Sequence, residues 1–250
     1  MKTIKLIVIA LFISCIGYAQ KDYTQSLSGI EWVKIESKAD LVIKTHSNNE
    51  LLIKSGPSYK KPSKAKGLKL VGESGTDNTD VGFYVIKEGS TLLVKNLRKS
   101  EKGEIYLPAN QNIAVTTTWH GDIMISGFKG EVEASARLNG GIKVDDVSGP
   151  LTANTLNGGI DVIFSKVAQN SPITVYSTNG ALDISLPEST PSDVTLSTIN
   201  GDIYTNFELR LPDKNGLRAI ASKKVRGEIN GGGVDLQLKT TNGNIYLRKK

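Results

Sequence analysis

Asn139-Gly140-Gly141-Ile142-Lys143-Val144 recurs as Asn157-Gly158-Gly159-Ile160-Asp161-Val162, and again as Asn179-Gly180-Ala181-Leu182-Asp183-Ile184. Asn200-Gly201-Asp202-Ile203-Tyr204 and Asn242-Gly243-Asn244-Ile245-Tyr246-Leu247 continue the series. His120-Gly121-Asp122-Ile123-Met124-Ile125 is an earlier, degenerate copy, and Asn230-Gly231-Gly232-Gly233-Val234-Asp235-Leu236 is a further candidate. The five Asn positions lie 18, 22, 21 and then 42 residues apart, the last interval being two periods. Self-similarity at about 20 residues is the mark of a solenoid or array.

The unit is physically legible. Asn tolerates positive φ and Gly has no Cβ, so Asn-Gly marks a sharp turn. The turn positions are thus His120 with Gly121, Asn139 with Gly140, Asn157 with Gly158, Asn179 with Gly180, Asn200 with Gly201, and Asn242 with Gly243. After each turn apolar and polar residues alternate, as in Ile160 and Val162 around Asp161, the period of a half-buried strand. Gly130–Ala134 and Pro172–Tyr176 alternate likewise. No stretch beyond the first 19 residues carries a helical apolar stripe.

Asn-Gly is also the strongest short hairpin signal, which raises an antiparallel sandwich as the rival. One turn per ~20 residues and inward residues limited to Val, Ile, Leu and Ala favour a narrow stacked interior. The expected fold is an all-β, single-domain β-solenoid, a right-handed parallel β-helix with coils of about 20 residues. Six or seven coils at about 4.8 Å would make a rod on the order of 30 Å long. Stacked Asn side chains could then hydrogen-bond up a column.

A second spacing overlaps the first. Leu107-Pro108 and Leu186-Pro187 each precede a Gly-Asp-Ile, at Gly121 and Gly201. Leu211-Pro212 starts a third copy with its Asn-Gly displaced, which implies an insertion around 213–228. Pro suits a corner because it removes a ladder donor. Residues 30–54 alternate less regularly, and Phe83–Val94 reads as a hairpin about Lys87-Glu88-Gly89-Ser90. The organisation is therefore a leader over 1–19, an irregular β N-terminal or capping part over 20–118, and regular repeats over 119–250.

Lys2 and Lys5, the apolar run 6–16 and Gly17-Tyr18-Ala19 form a secretory signal. The run is shorter than the roughly 20 residues a spanning helix needs, and no later segment approaches it. Cleavage after Ala19 leaves a chain without cysteine, and lipidation at Cys15 is the weaker reading. Expected locations are the periplasm, the outer-membrane surface or the medium. The chain has 250 residues, 25 Gly, one Cys and net charge +6. That excludes a disulfide scaffold. The lysines at 60, 61, 64, 66 and 69 sit in a Pro- and Gly-containing loop with only Tyr59 as an aromatic, so nucleic acid is not an expected partner.

Candidates for chemistry are few. There are two His, in a turn at His46 and at a repeat corner at His120, and no Cys remains for zinc. No cofactor is expected. Asp161, Asp183 and Asp235 share one repeat position, as do Asp122 and Asp202. Aligned Asp could take Ca²⁺, which wants six to eight oxygens, or act as paired acids. Lys143 interrupts the first column, and solvated outer-face residues are the simpler reading. Tyr176, Tyr204 and Tyr246 are candidate aromatics for sugar stacking.

The Asn-Gly-x-Ile and Gly-Asp-Ile copies, the Leu-Pro spacing and the opening Ile35–Ile53 together resemble a bacterial "putative adhesin" family of unknown function. The resemblance covers nearly all the mature chain, best over 100–250. It implies an exported or envelope-anchored short β-solenoid and supplies no catalytic residues. The chain departs from the pattern at His120 and in the lysine-rich 57–80 loop. A leader ending Ala-Gln resembles those of Bacteroidota, implying a Gram-negative envelope. The function expected is non-enzymatic binding of a polymer, surface or protein partner through a repetitive sheet face. Cell-surface polysaccharide and envelope proteins are the expected partners, with oligomeric state open. The alternatives are a glycan-active parallel β-helix lyase or hydrolase, and a structural or signalling envelope component without an external ligand.

Overall fold

The computed structural model describes residues 22–56, 61–210 and 223–250. The expected signal over 1–19, Lys60 and Tyr59 of the lysine loop, and most of the expected insertion at 213–228 lie outside these. Strands alternate buried and exposed residues along almost the whole described chain, and the only helical element is a single 3-10 turn at Ser63–Ala65. No helix among the described residues is long and apolar enough to cross a membrane.

The first strands are β1 (Tyr23–Ser26), β2 (Trp32–Ser37), β3 (Leu41–His46) and β4 (Glu50–Ile53). An excursion follows that holds the small hairpin β5 (Val71–Gly72) and β6 (Gly75–Thr76). The hairpin β7 (Phe83–Glu88) and β8 (Thr91–Asn96) comes next, with Val85 opposite Val94. Then come β9 (Gly103–Pro108), β10 (Asn112–Thr117), β11 (Ile123–Ser126), β12 (Val132–Asn139) and β13 (Ile142–Val147). β14 (Leu151–Asn157), β15 (Ile160–Phe164), β16 (Ile173–Asn179) and β17 (Leu182–Leu186) repeat the pattern. The chain closes with β18 (Ser192–Asn200), β19 (Ile203–Thr205), β20 (Lys223–Ile229), β21 (Val234–Asn242) and β22 (Ile245–Lys249).

These strands form two ten-stranded sheets, ordered β1-β4-β9-β3-β11-β13-β15-β17-β22-β19 and β20-β18-β21-β16-β14-β12-β10-β2-β8-β7. Each coil contributes one strand to each sheet, and neighbouring coils pair in parallel. The chain is a β-solenoid. Eight such coils stack: β8/β9, β2/β3, β10/β11, β12/β13, β14/β15, β16/β17, β21/β22 and β18/β19. That exceeds the six or seven expected and makes a rod of about 34 Å. Within 20–118, β2, β3, β8 and β9 are regular parallel coils. The irregularity there is confined to β1, β4, β7 and the excursion after β4.

Coil order does not follow chain order. β2/β3 lies between β8/β9 and β10/β11, and β21/β22 lies between β16/β17 and β18/β19. The Asn230-Gly231-Gly232 copy is corrected. It is the turn from β20 to β21, with φ of 51, 85 and 82°, and Asn230 Nδ2 donates to the Glu188 and Thr190 carbonyls at 2.8 and 2.9 Å.

The interior is filled by columns such as Ile123, Ile142, Ile160, Leu182 and Ile245, all essentially without solvent contact. Each such side chain contributes roughly 1.5–3 kcal/mol of burial. Three of the four ladder ends carry antiparallel strands: β4 and then β1 beyond β9, β7 on β8, and β20 on β18. The edge strand β20 carries Lys223, Lys224 and Arg226, which discourages further strand addition.

Candidate functional site: the outer faces of the solenoid

The corners come first. Asn200 Nδ2 donates to Asn242 Oδ1 at 2.7 Å, Asn242 to Asn179 at 2.6 Å, Asn179 to Asn157 at 2.7 Å and Asn157 to Asn139 at 3.1 Å. Asn139 Nδ2 then meets His120 Nδ1 at 3.3 Å. The Asn-to-Asn bonds all run the same way, and His120 ends the ladder.

The glycine after the Asn serves a purpose other than the one expected at every such corner but that of Gly243, whose φ is 157°. None of these Asn has positive φ, and Gly140, Gly158, Gly180 and Gly201 do not either. A Cβ on Gly180 would overlap the Gly158 carbonyl, and one on Gly201 the Gly243 carbonyl. Close approach between coils, rather than turn conformation, demands glycine here.

Those same carbonyls are satisfied from inside. Thr155 donates to Gly140 O at 2.8 Å, Ser177 to Gly158 O at 2.9 Å, Thr240 to Gly180 O at 2.9 Å and Thr198 to Gly243 O at 2.9 Å. Thr155, Ser177, Thr198 and Thr240 are fully or nearly fully buried. The reading of the sequence missed this column. Its signal is a Ser or Thr two residues before the Asn-Gly in four copies.

The carboxylates do not gather into one column. Asp161 and Asp183 are register partners on the sheet of β15 and β17. Asp235 is on the other sheet, opposite Asp193, because β21 precedes its corner rather than following it. Both oxygens of Asp183 are taken by Arg248, at 2.7 Å from Nε and 2.9 Å from Nη2. This pairing holds the Arg248 guanidinium above its usual range. Asp122 Oδ1 accepts from Gly141 N–H at 2.7 Å. Asp202 pairs with Lys223, whose ammonium holds its carboxyl below the usual range. Among the described residues no group of three or more His, Cys, Asp or Glu is placed to hold a metal ion.

Two of the three tyrosines come together. Tyr204 and Tyr246 are register partners on β19 and β22. Their rings stack at 5.3 Å between centroids and 12° between planes. Arg248 lies 5.1 Å over Tyr246, and Tyr204 is 51% exposed. Tyr176 sits on the opposite sheet, with Lys239 5.6 Å over its ring. Thr178 and Thr241 at its hydroxyl hold its phenol below the usual range.

The Toastrack DUF4097 family model matches residues 38–248, nearly the whole of this parallel solenoid. The chain belongs to the Toastrack DUF4097 family. This Toastrack chain is similar to the crystal structure of a "putative cell adhesion protein" from Clostridium sporogenes ATCC 15579. The two share 10% identity at a TM-score of 0.48, over 92% of this chain and 99% of that one. It is also similar to a "putative adhesin" from Bacteroides fragilis NCTC 9343, with 12% identity and a TM-score of 0.39, over 93% and 98%. No curated protein matches its sequence.

Proposed function

We propose that this Toastrack protein is an exported, non-enzymatic binding module that holds an envelope or surface polymer through its repetitive outer faces. The observation that carries this reading is the Tyr204–Tyr246 stack with Arg248 above it. The two rings stack on each other with the half-exposed Tyr204 at the solvent end, and aromatic side chains with a polar tip suit such half-wet surfaces. The Asp161, Asp183 and Lys143 positions beside it add polar contacts spaced at the strand repeat. Affinity then comes from many weak contacts along a polymer rather than from one deep pocket. Commitment of both Asp183 oxygens to Arg248 speaks against Asp161 and Asp183 working as a paired acid and base. The reading includes a cleaved leader over 1–19, an N-terminal capping part over 20–118 and the repeats over 119–250.

The test is retention of the purified protein on a glycan panel, set beside the Tyr204→Ala/Tyr246→Ala double variant. Retention lost in the variant supports the reading. No retention on any glycan by the wild type sinks its carbohydrate form.

A further inference from the structure

The repeat breaks at one place, and a depression opens there. The amide ladder ends at His120. The next two coils turn without Asn-Gly, through Lys38-Ala39-Asp40 between β2 and β3, and through Leu97–Lys102 between β8 and β9. The hairpin tip at Gly72–Ser74 overhangs these corners. Between them lies an open depression of about 660 Å³ with Trp119 and His120 in its wall.

Trp119 is the first unusual feature. It occupies the place before the ladder residue, where the next two coils carry Leu138 and Leu156. It is 57% exposed, and its ring stands edge-on to His120 at 6.3 Å. Leaving so large an aromatic more than half in water forgoes hydrophobic burial. Breaks in an otherwise consistent pattern are where function is expected.

Charge is the second. Two acids line the depression, one in an ion pair and one hydrogen-bonded to backbone. Glu73 is paired with Lys38 at 2.7 Å, and Asp40 Oδ1 accepts from the Asp122 N–H at 3.0 Å. Glu101 pairs with Arg98. Lys99 and Lys102 are exposed and form no ion pair among the described residues. Two exposed ammonium groups outside any direct ion pair thus line the depression with the exposed indole, Lys99 in the field of Glu73 and Lys102 in that of Glu104.

We infer that this depression binds an acidic sugar residue of a polysaccharide, its ring against Trp119 and its carboxylate between Lys99 and Lys102. An indole face takes the apolar C–H face of a pyranose while its edge stays wet. Ammonium-to-carboxylate hydrogen bonds supply the charge-assisted part. The row continuing from Trp119 gives the rest of the chain a track. Leu138 and Leu156 are 42 and 40% exposed. Beside them, the exposed Asn139 and Asn157 each spend one amide hydrogen on the ladder and keep one for a ligand. The site lies at the opposite end of both sheets from the Tyr204–Tyr246 stack, so the two readings fail independently.

The test is a fluorescence titration of the purified protein, whose tryptophans are Trp32 and Trp119. The probes are a galacturonic acid tetrasaccharide, a neutral galactose tetrasaccharide and inorganic phosphate. A saturable change with the acidic probe is expected, at least about tenfold weaker with the neutral one, and weakened by salt. Lys99→Ala/Lys102→Ala should cost about tenfold, Tyr204→Ala/Tyr246→Ala should leave the titration unchanged, and Trp119→Ala, followed by isothermal titration calorimetry because the substitution removes the fluorescent reporter, should abolish binding. If Trp119→Ala fails to fold by circular dichroism, Trp119→Phe, likewise followed by calorimetry, and the acidic-to-neutral ratio of the wild type decide. Equal affinity for the neutral probe, equal affinity for phosphate, no saturable change, or loss only in the tyrosine variant would each overturn the inference.

Discussion

Asn242 donates its side-chain amide to Asn179 at 2.6 Å although 63 residues separate them. Asn200, the next ladder residue in the chain after Asn179, is one coil farther out and reaches only Asn242. The C-terminal coil is thus a wedge between two coils made earlier. Its strands β21 and β22 each pair on both sides, with β16 and β18, and with β17 and β19.

Truncation before Val234 should therefore do more than shorten the rod. It removes the two parallel partners of the β18/β19 coil, leaving β18 only the antiparallel β20, and exposes the β16/β17 coil. Hydrogen exchange should show loss of protection in β18, β19 and β20 together, with β12–β15 retained. Intact protection in β18 would contradict the wedge.

The two glycines of a Gly-Gly corner should respond oppositely. A Cβ at Gly158 overlaps the Gly140 carbonyl, whereas one at Gly159 meets only Ala181 O at 3.4 Å, and the next coil already carries Ala181 there. Gly158→Ala should cost roughly 1–3 kcal/mol or more, as overpacking does. Gly159→Ala should be neutral or stabilise by about 0.4–1 kcal/mol through the unfolded chain. Urea denaturation of the two variants measures the difference.

Ladder position should set the cost of losing an amide. Asn179 both donates to Asn157 and accepts from Asn242, while Asn200 makes one ladder bond. At about 0.5–1.5 kcal/mol per hydrogen bond, and at the low end for exposed pairs, Asn179→Ala should cost about twice Asn200→Ala in chemical denaturation. Equal costs would mean the ladder contributes nothing cooperative.

Acid should loosen the N-terminal end first. Tyr106 OH donates to Glu104 at 2.7 Å, and Lys44 reaches it at 3.2 Å. Chiefly through Tyr106, and then through Lys44 against opposing burial, the Glu104 carboxyl sits below its usual range. Burial works to raise Asp22, and the Lys54 ammonium and Ser55 N–H more than offset it, leaving that carboxyl low as well. Groups with depressed folded pKa contribute stability that is present above their unfolded value, near 4, and is lost as pH falls through the folded one. Exchange protection in β1, β4 and β9 should fall between about pH 5 and pH 2 before that of β13 and β15. Glu104→Gln should flatten part of that dependence.

The sequence by itself determined the coil. Period-2 alternation with Ile, Val and Leu inward dictates a half-buried strand, and the recurrent Asn-Gly dictates one corner per ~20 residues. A parallel stack follows, because such a narrow two-sided unit buries its apolar columns only against copies of itself. Only the tertiary structure decided which copy lies on which. Every coil offers the same ladder of N–H and C=O groups, so pairing edges are interchangeable, and the order is set at the ends, where the antiparallel caps β4, β7 and β20 must fit. The same choice placed Tyr246 against Tyr204, sent Asp235 to the other sheet, and ended the amide ladder at His120 beside a bare Trp119. Those contacts join residues whose spacing in the chain carries no trace of their spacing in the rod.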